Sequence, residues 1–373
     1  MRILIVGGGI GGMATAIALS RRGHEIDLID LDPEWRVYGA GITITRPTMR
    51  AFRLLGVLDE VERVGFAGDG IQICRADGTA VEKVADPVMR GAPLPGSGGI
   101  MRPDLHRILS QRVLAGGARV RLGLTVDELA SDDNRVDVRF SDGTRSWYDF
   151  VVGADGVYSR VRTLIFPDAP RPEYTGQTVW RLFAPRPPEV TRRQFFLGGP
   201  SKVGLCPVSD THLYMFLLEN TPRRPIIPDA ELPGELRRLL AGYGGPIRKL
   251  RDDLGPGANI VVRPLEAFRL PAPWYAGRVL LIGDAAHPTT PQLASGAGIA
   301  VEDALVLADE LGEAGDTADV ADVFRRFMAR REPRCRLVVD HSIEIGRREQ
   351  AGRPAAEQTV LVEEALAKLA EPI

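Results

Sequence analysis

The 373-residue chain has only three cysteines, Cys74, Cys206 and Cys335, far apart and without a CxxC or Cys/His cluster. An odd, scattered set supports neither a disulfide framework nor a zinc site, so no metal is expected and a reducing cytoplasm suits the chain. A dominant charge is also missing, since 47 basic residues against 49 acidic ones give a formal net charge of -2. That excludes bulk attraction to nucleic acid or to an anionic membrane. Long apolar runs are absent too. Arg2 leads straight into Ile3-Leu4-Ile5-Val6 and then glycines, too short for a signal-peptide core, and no later run reaches the roughly 20 residues of a spanning helix. Nothing repeats, and the one low-complexity stretch, residues 91–99 (GAPLPGSGG), reads as a surface loop. The expectation is small-molecule chemistry by a soluble cytoplasmic protein, a monomer or homodimer.

What is present is enough apolar residue, 44%, to bury a large core in two domains or one elaborated α/β domain. Residues 2–6 read as a buried strand, 12–22 as a helix ended by Gly23, and 25–30 as a second strand, the β-α-β order of a parallel sheet. Thr45 is an N-cap candidate for a helix running to about Leu55 and stopped by Gly56, and residues 104–115 repeat the pattern before Gly116-Gly117. From 171 to about 272 the texture changes to short runs (177–183, 194–197, 212–218) between Gly/Pro turns, as in an antiparallel sheet. A parallel-type strand returns at 278–282, followed by helices over about 298–311 and 318–345, and an exposed helix beyond Gly352.

The expected fold class is therefore α/β: a Rossmann-type domain with a mostly parallel sheet, an inserted domain with an antiparallel sheet, and C-terminal helices; the motifs below make the first the FAD-binding domain and the second the substrate domain. The first domain takes residues 1–75, 102–170 and 273–345, the second takes 76–101 and 171–272, and 346–373 form a helical tail.

Gly7-Gly8-Gly9-Ile10-Gly11-Gly12 satisfies GxGxxG between a strand and a helix. Gly7 serves the tight turn, Gly9 the approach of a pyrophosphate, and Gly12 helix-on-strand packing. Asp30 ends the next strand, where a carboxylate holds a ribose hydroxyl and disfavours NADP. Two later segments separate FAD from NAD. In Asp149-Phe-Val-Val-Gly-Ala-Asp-Gly-Val-Tyr-Ser-Arg-Val-Arg162 a strand delivers Asp155 and Gly156 into a turn, with Ser159 and Arg162 as a polar wall beside phosphate. In Arg278-Val-Leu-Leu-Ile-Gly-Asp-Ala-Ala-His-Pro-Thr-Thr-Pro291, Asp284 ends a strand and can accept from a ribityl hydroxyl. The Ala297 and Gly298 amides then open a helix whose positive end suits the charge of a reduced flavin.

At these segments, and over nearly its whole length, the chain resembles the para-hydroxybenzoate hydroxylase-like family of FAD-dependent aromatic monooxygenases. Tyr174-Thr-Gly-Gln-Thr-Val-Trp-Arg-Leu182 is similar to the branch with alkyl-quinolone, salicylate and hydroxynicotinate hydroxylases. The resemblance implies that Gly7, Gly9 and Gly12 line the FAD pyrophosphate, Asp30 binds the adenosine ribose, Arg102 contacts FAD, and residues 155–162 serve FAD and NAD(P)H. It also implies that Asp284 binds the ribityl chain, Pro291 faces substrate, and the amides of Gly296, Ala297 and Gly298 meet the flavin ring. Ile10, Gly11, Val126 and Gly283 complete the candidate cofactor positions. FAD would be tightly bound and non-covalent, with NAD(P)H as a transient co-substrate and O2 activated as a C4a-hydroperoxide that hydroxylates a small aromatic substrate. Departures exist: Pro47 stands where the family often has Asn, and Thr43 stands where hydroxynicotinate-type enzymes have a catalytic His, with a Tyr near Cys206.

Arg181 is a candidate to orient a phenolate or carboxylate, and Thr43, Arg181, Leu205 and Pro291 are expected around the pocket. Alternating aromatics Phe195, Phe196, Tyr214 and Phe216 read first as core. His287 reads as satisfied by local backbone, and Glu302-Asp303 as first-turn helix residues favouring the dipole. Gly242-Tyr-Gly-Gly-Pro lacks a strand before it, so NAD(P)H has no domain of its own. Two alternatives stay open: an FAD-dependent reductase on this scaffold, and a Rossmann-type carrier without catalysis. The WxWxIP signature of tryptophan halogenases is absent around Trp180.

Overall fold

The computed structural model describes residues 1–37, 40–86, 88–89, 93–223, 226–314 and 319–373. Residues 91 and 92 of the expected surface loop and 318 of an expected helix lie outside them.

The opening strand Arg2–Val6 has four buried apolar residues in a row, as expected for a strand covered on both faces. It pairs in parallel with Glu25–Asp30 on one side and Phe150–Gly153 on the other. Arg119–Leu122 and Val279–Leu281 extend this parallel sheet, and Tyr275–Ala276 adds an antiparallel edge, giving six strands. Two helices, Ile10–Ser20 and Gly296–Ala314, pack together at its glycine-rich end. There a Cβ on Gly11 would touch the Cβ of Ala300 at 3.5 Å.

The second layer is a seven-stranded sheet built on the long strand Glu173–Pro185, which pairs antiparallel with both His212–Asn220 and Asn259–Ala267. Lys202–Pro207, Arg193–Leu197, Ile71–Arg75 and Ala80–Val84 continue it. Its alternation is strict: Trp180 and Leu182 enter one apolar core, so Val179 and Arg181 face the other way, toward the dinucleotide-binding layer. The expected α/β class with an antiparallel addition is observed. A three-stranded meander over Val126–Ser131, Val136–Phe140 and Arg145–Tyr148 was not foreseen.

The helix Val320–Gln350 runs past Pro333 and ends against the seven-stranded sheet. The last helix, Ala355–Ala370, is docked and not simply exposed. Ala365 and Leu369 are buried, and Arg50 and Arg334 donate to the Leu369 carbonyl at 2.9 and 2.8 Å. The correction has a plain cause, because Leu361, Ala365 and Leu369 fall at i, i+4, i+8 and form one face.

Candidate active site

The first glycines create a phosphate-sized opening. Gly7 has φ of +108°, and a Cβ there would lie 2.4 Å from the Ala154 carbonyl oxygen. A Cβ on Gly12 would lie 1.9 Å from the Gly7 carbonyl oxygen, so helix and strand meet only without side chains. Gly9 has nothing within 4 Å and caps the Ile10–Ser20 helix without a side-chain bond, leaving the first amides free for an anion. Asp30 accepts from the Gly8 amide at 2.6 Å and from the Asp32 amide at 2.8 Å, while the Trp35 indole N–H donates to the Gly8 carbonyl at 2.9 Å. The middle glycine is thus held on both sides.

A cavity of about 440 Å³ runs from this opening to the seven-stranded sheet. Gly9, Ile10, Gly11, Arg102, Gly156, Gly283, Asp284, Gly296 and Ala297 line one side, and Thr43, Arg181 and Pro291 line it further along. Asp284 sits in the turn Gly283–Ala285 with its side chain open to the cavity. Burial pushes its pKa up, against the nearby charges of His287 and Arg102. Arg181 is walled in; burial first and the Arg102 charge second lower its pKa to about 10.

Other candidates lie behind this lining. Asp155 accepts from the Ser159 hydroxyl and from the amides of Arg160 and Val161 at 2.7 and 3.0 Å. Arg162 donates to the carbonyls of Ala285 and Val157 at 2.9 and 2.8 Å and lies over the Phe268 ring. It therefore ties the second motif to the Asp284 turn. Val126 is fully buried where its strand begins, and a Cβ on Gly298 would meet the Thr48 hydroxyl at 2.3 Å.

Four features differ from the sequence reading, the last being the Glu302–Asp303 pair. Phe195, Tyr214 and Phe216 line the cavity, whereas Phe196 and Leu205 point into the core beyond the sheet, as the two-residue period requires. The Tyr214 hydroxyl shares a short hydrogen bond with Thr43, and it stands opposite Cys206 on the neighbouring strand. His287 is bound to a carboxylate and not to local backbone: its Nε2 lies 2.6 Å from Asp303. Burial opposes its charge, but the Cys335 sulfur and Asp303 more than reverse this and hold its pKa well above the usual value.

Asp303 and Glu302 lie inside the Gly296–Ala314 helix, beyond its first turn, and form a buried ion network. Asp303 also accepts from the Gly283 amide at 2.9 Å and from Arg331 at 2.8 Å; Glu302 accepts from Arg331 at 2.8 Å and from Arg334 at 2.7 Å. Donor atoms of His287, Asp303 and Cys335 lie within 4.8 Å of one another. Arg331 already sits there, 3.3 Å from the Cys335 sulfur, so the space is that of an ion pair and not of a metal.

The open Gly9 surface, two helix N-termini, a cavity-facing carboxylate at Asp284 and a half-buried Arg102 on the cavity wall suit a long anionic dinucleotide with a polyhydroxyl middle. Residues 1–342 match the family described as FAD binding domain. The chain belongs to that family. It is 34% identical to the 3-amino-4-hydroxybenzoate 2-monooxygenase PtmB3 of Streptomyces platensis, over 92% of this chain and 87% of that one. It is 31% identical to the 2-heptyl-3-hydroxy-4(1H)-quinolone synthase of Pseudomonas aeruginosa, over 93% and 89%. The fold matches that of Klebsiella pneumoniae HpxO complexed with FAD and uric acid, with a TM-score of 0.81, 24% identity, and coverage of 100% and 93%. The FAD cofactor and the aromatic-monooxygenase family expected from the motifs both hold, and the chain is an FAD-dependent monooxygenase.

Proposed function

We propose that the enzyme uses NAD(P)H and O2 to insert one oxygen atom into a small phenol-like or heteroaromatic substrate. The observation that carries this is one continuous cavity. Its cofactor end has Gly9, Asp284, Gly296 and Ala297, and its far wall has Phe195, Tyr214 and Phe216. FAD, once bound, would supply the redox chemistry between NAD(P)H and O2.

The protein supplies grip, orientation and dryness. Gly7, Gly9 and Gly12 let the diphosphate approach, Asp30 takes the adenosine ribose, and Asp284 takes the ribityl hydroxyls. Arg102 adds positive charge. Gly156, Gly283 and the amides of Gly296 to Gly298 shape the ring site, and Asp155, Arg162 and Val126 brace it from behind. Pro291 faces the substrate, Arg181 holds its polar group, and the apolar wall excludes water. The Thr43 and Tyr214 hydroxyls are hydrogen-bonded to each other at the substrate end, and either can donate to, or accept from, a ring hydroxyl. We place the enzyme in the cytoplasm as a monomer or homodimer, without nucleic-acid or membrane partners; no described helix is long and apolar enough to cross a membrane.

The test begins with the visible spectrum of the purified protein. NADH and NADPH oxidation in air is then followed across phenols, hydroxypyridines, salicylates and hydroxyquinolines. Yellow protein whose NAD(P)H oxidation is stimulated by a ring compound supports the reading. Colourless protein that refuses FAD overturns it.

A further inference from the structure

The buried ion network behind the cofactor turn does not balance by itself. The guanidiniums of Arg50, Arg331 and Arg334 face only two carboxylates, Glu302 and Asp303, and all five side chains are at most 10% exposed. Despite burial, the Cys335 sulfur and Asp303 hold the His287 pKa well above its usual value, which adds a fourth cation. An uncompensated buried charge is costly, so another group must supply negative potential.

The last helix supplies it. The final carbonyls of a helix lack intrahelical partners and together carry about half a negative charge. At the end of Ala355–Ala370 they meet two of the arginines. Arg334 donates to the Lys368 carbonyl at 2.6 Å and to that of Leu369 at 2.8 Å. Arg50 donates to the carbonyls of Leu369 at 2.9 Å, Ala370 at 3.0 Å and Glu371 at 2.7 Å. From there hydrogen bonds run without a gap to the cofactor turn. Glu302 accepts from Arg334 at 2.7 Å and from Arg331 at 2.8 Å, Arg331 donates to Asp303 at 2.8 Å, and Asp303 accepts from the Gly283 amide at 2.9 Å. Gly283 has φ of +55° and directly precedes Asp284 in the cavity wall. Arg331 also donates to the Ile299 carbonyl at 3.0 Å, beside Gly298.

We propose that the helix Ala355–Ala370 is a strap for the cofactor site: its docking and the binding of FAD stabilise each other through Arg334, Glu302, Arg331 and Asp303. The proposal rests on the reading of Asp284 as an FAD ligand and not on the identity of the substrate. With the strap undocked, Arg50 and Arg334 lose five hydrogen bonds and fall back on Glu302. That draws Glu302 away from Arg331 and Arg331 onto Asp303, so the Gly283 amide loses part of its acceptor. Arg334, Glu302, Arg331 and Asp303 are positioning residues, since they act on the turn and do not line the cavity. Coupling between two sites is reciprocal, so FAD must hold the strap as firmly as the strap holds FAD.

The test uses the full chain. Ala365→Asp puts a charge on the buried face of the strap, and Leu236→Ala, in the core beyond the seven-stranded sheet, controls for general loss of stability. FAD affinity is read by flavin fluorescence, and strap docking by amide hydrogen exchange over residues 361–370. FAD is expected to slow exchange there about tenfold while leaving the helix Leu232–Leu239 unchanged. Ala365→Asp is expected to weaken FAD binding about tenfold, and Leu236→Ala to leave it unchanged. Glu302→Gln also weakens FAD, and its loss combined with Ala365→Asp is less than additive because both break one route. Should Ala365→Asp fail to fold, Leu361→Asp, at the margin of the same face, takes its place. Unchanged FAD affinity in protein whose strap exchanges fast overturns the proposal. So does exchange over 361–370 that ignores FAD, an equal FAD loss in Leu236→Ala, or penalties of Ala365→Asp and Glu302→Gln that simply add. Asp284→Ala that holds FAD like wild type sinks the reading of the turn beneath it; Asp284→Ala weakened with Ala365→Asp unaffected sinks the strap alone.

Discussion

Asp303→Asn removes a charge that serves three nitrogen donors at once. In the native protein one oxygen accepts from the Gly283 amide at 2.9 Å and from His287 at 2.6 Å, and the other from Arg331 at 2.8 Å. Burial alone would raise the Asp303 pKa, but the His287 and Arg331 charges outweigh it and bring it to about 2. An asparagine keeps one acceptor and turns an NH2 group toward a donor. Glu302 retains Arg334 at 2.7 Å, so the damage falls on Arg331 and His287. Breaking a buried pair while leaving one partner charged costs about 3–5 kcal/mol. With an unfolding entropy of about 2.1 cal/mol/K per residue, the 373 residues correspond to roughly 0.8 kcal/mol/K. The melting temperature should therefore fall by about 4–6 °C. Urea unfolding followed by far-UV dichroism gives the free energy, and flavin fluorescence reports FAD release. Arg331 keeps Glu302 at 2.8 Å; adding Arg331→Met removes a cation that has lost one of its two carboxylates, leaves Glu302 paired with Arg334, and should recover part of the loss. A single variant within about 1 kcal/mol of wild type, or a double variant worse than the single, would refute the reasoning.

Gly12→Ala places a methyl 1.9 Å from the Gly7 carbonyl oxygen, so helix and strand must separate and the protein should purify without FAD, as its absorbance at flavin wavelengths will report. Asp284→Ala removes a charged acceptor facing the cavity; at about 1.5–3 kcal/mol for such a bond, FAD affinity measured by fluorescence titration should fall roughly 10- to 100-fold. His287 has a folded pKa raised above its unfolded value, so its contribution is fully present below about pH 6.5 and is lost as pH rises through the folded value. Stability should fall by up to about 1.4 kcal/mol per pH unit in that window, and His287→Gln should flatten the slope in pH-dependent urea titrations.

The cofactor end was legible because it depends on residues adjacent in sequence. Glycines at fixed offsets, strand-then-helix order and an acid at the end of the next strand each carry a local mechanism. The helix at Ile10–Ser20 begins earlier than expected, since two glycines disfavour a helix by propensity but are required there for close packing. The substrate end was less legible. Alternation along residues 212–218 shows that Tyr214 and Phe216 share a face, but only the tertiary structure shows that this face borders a cavity. The Glu302–Asp303 network was missed for a related reason: its partners Arg331 and Arg334 lie on another helix, and one chain without its packing shows acids near a helix start. Arg181 was legible as a strand arginine beside the expected pocket, and it lines the cavity.

The most direct test of the account is mass spectrometry of the product formed under labelled O2 with NAD(P)H and the ring compound that best stimulates its oxidation. The account predicts a product heavier by one labelled oxygen atom, formed in proportion to NAD(P)H consumed. A reduced or unoxygenated product, formed while NAD(P)H is consumed, would contradict it and make the enzyme a reductase on the same scaffold.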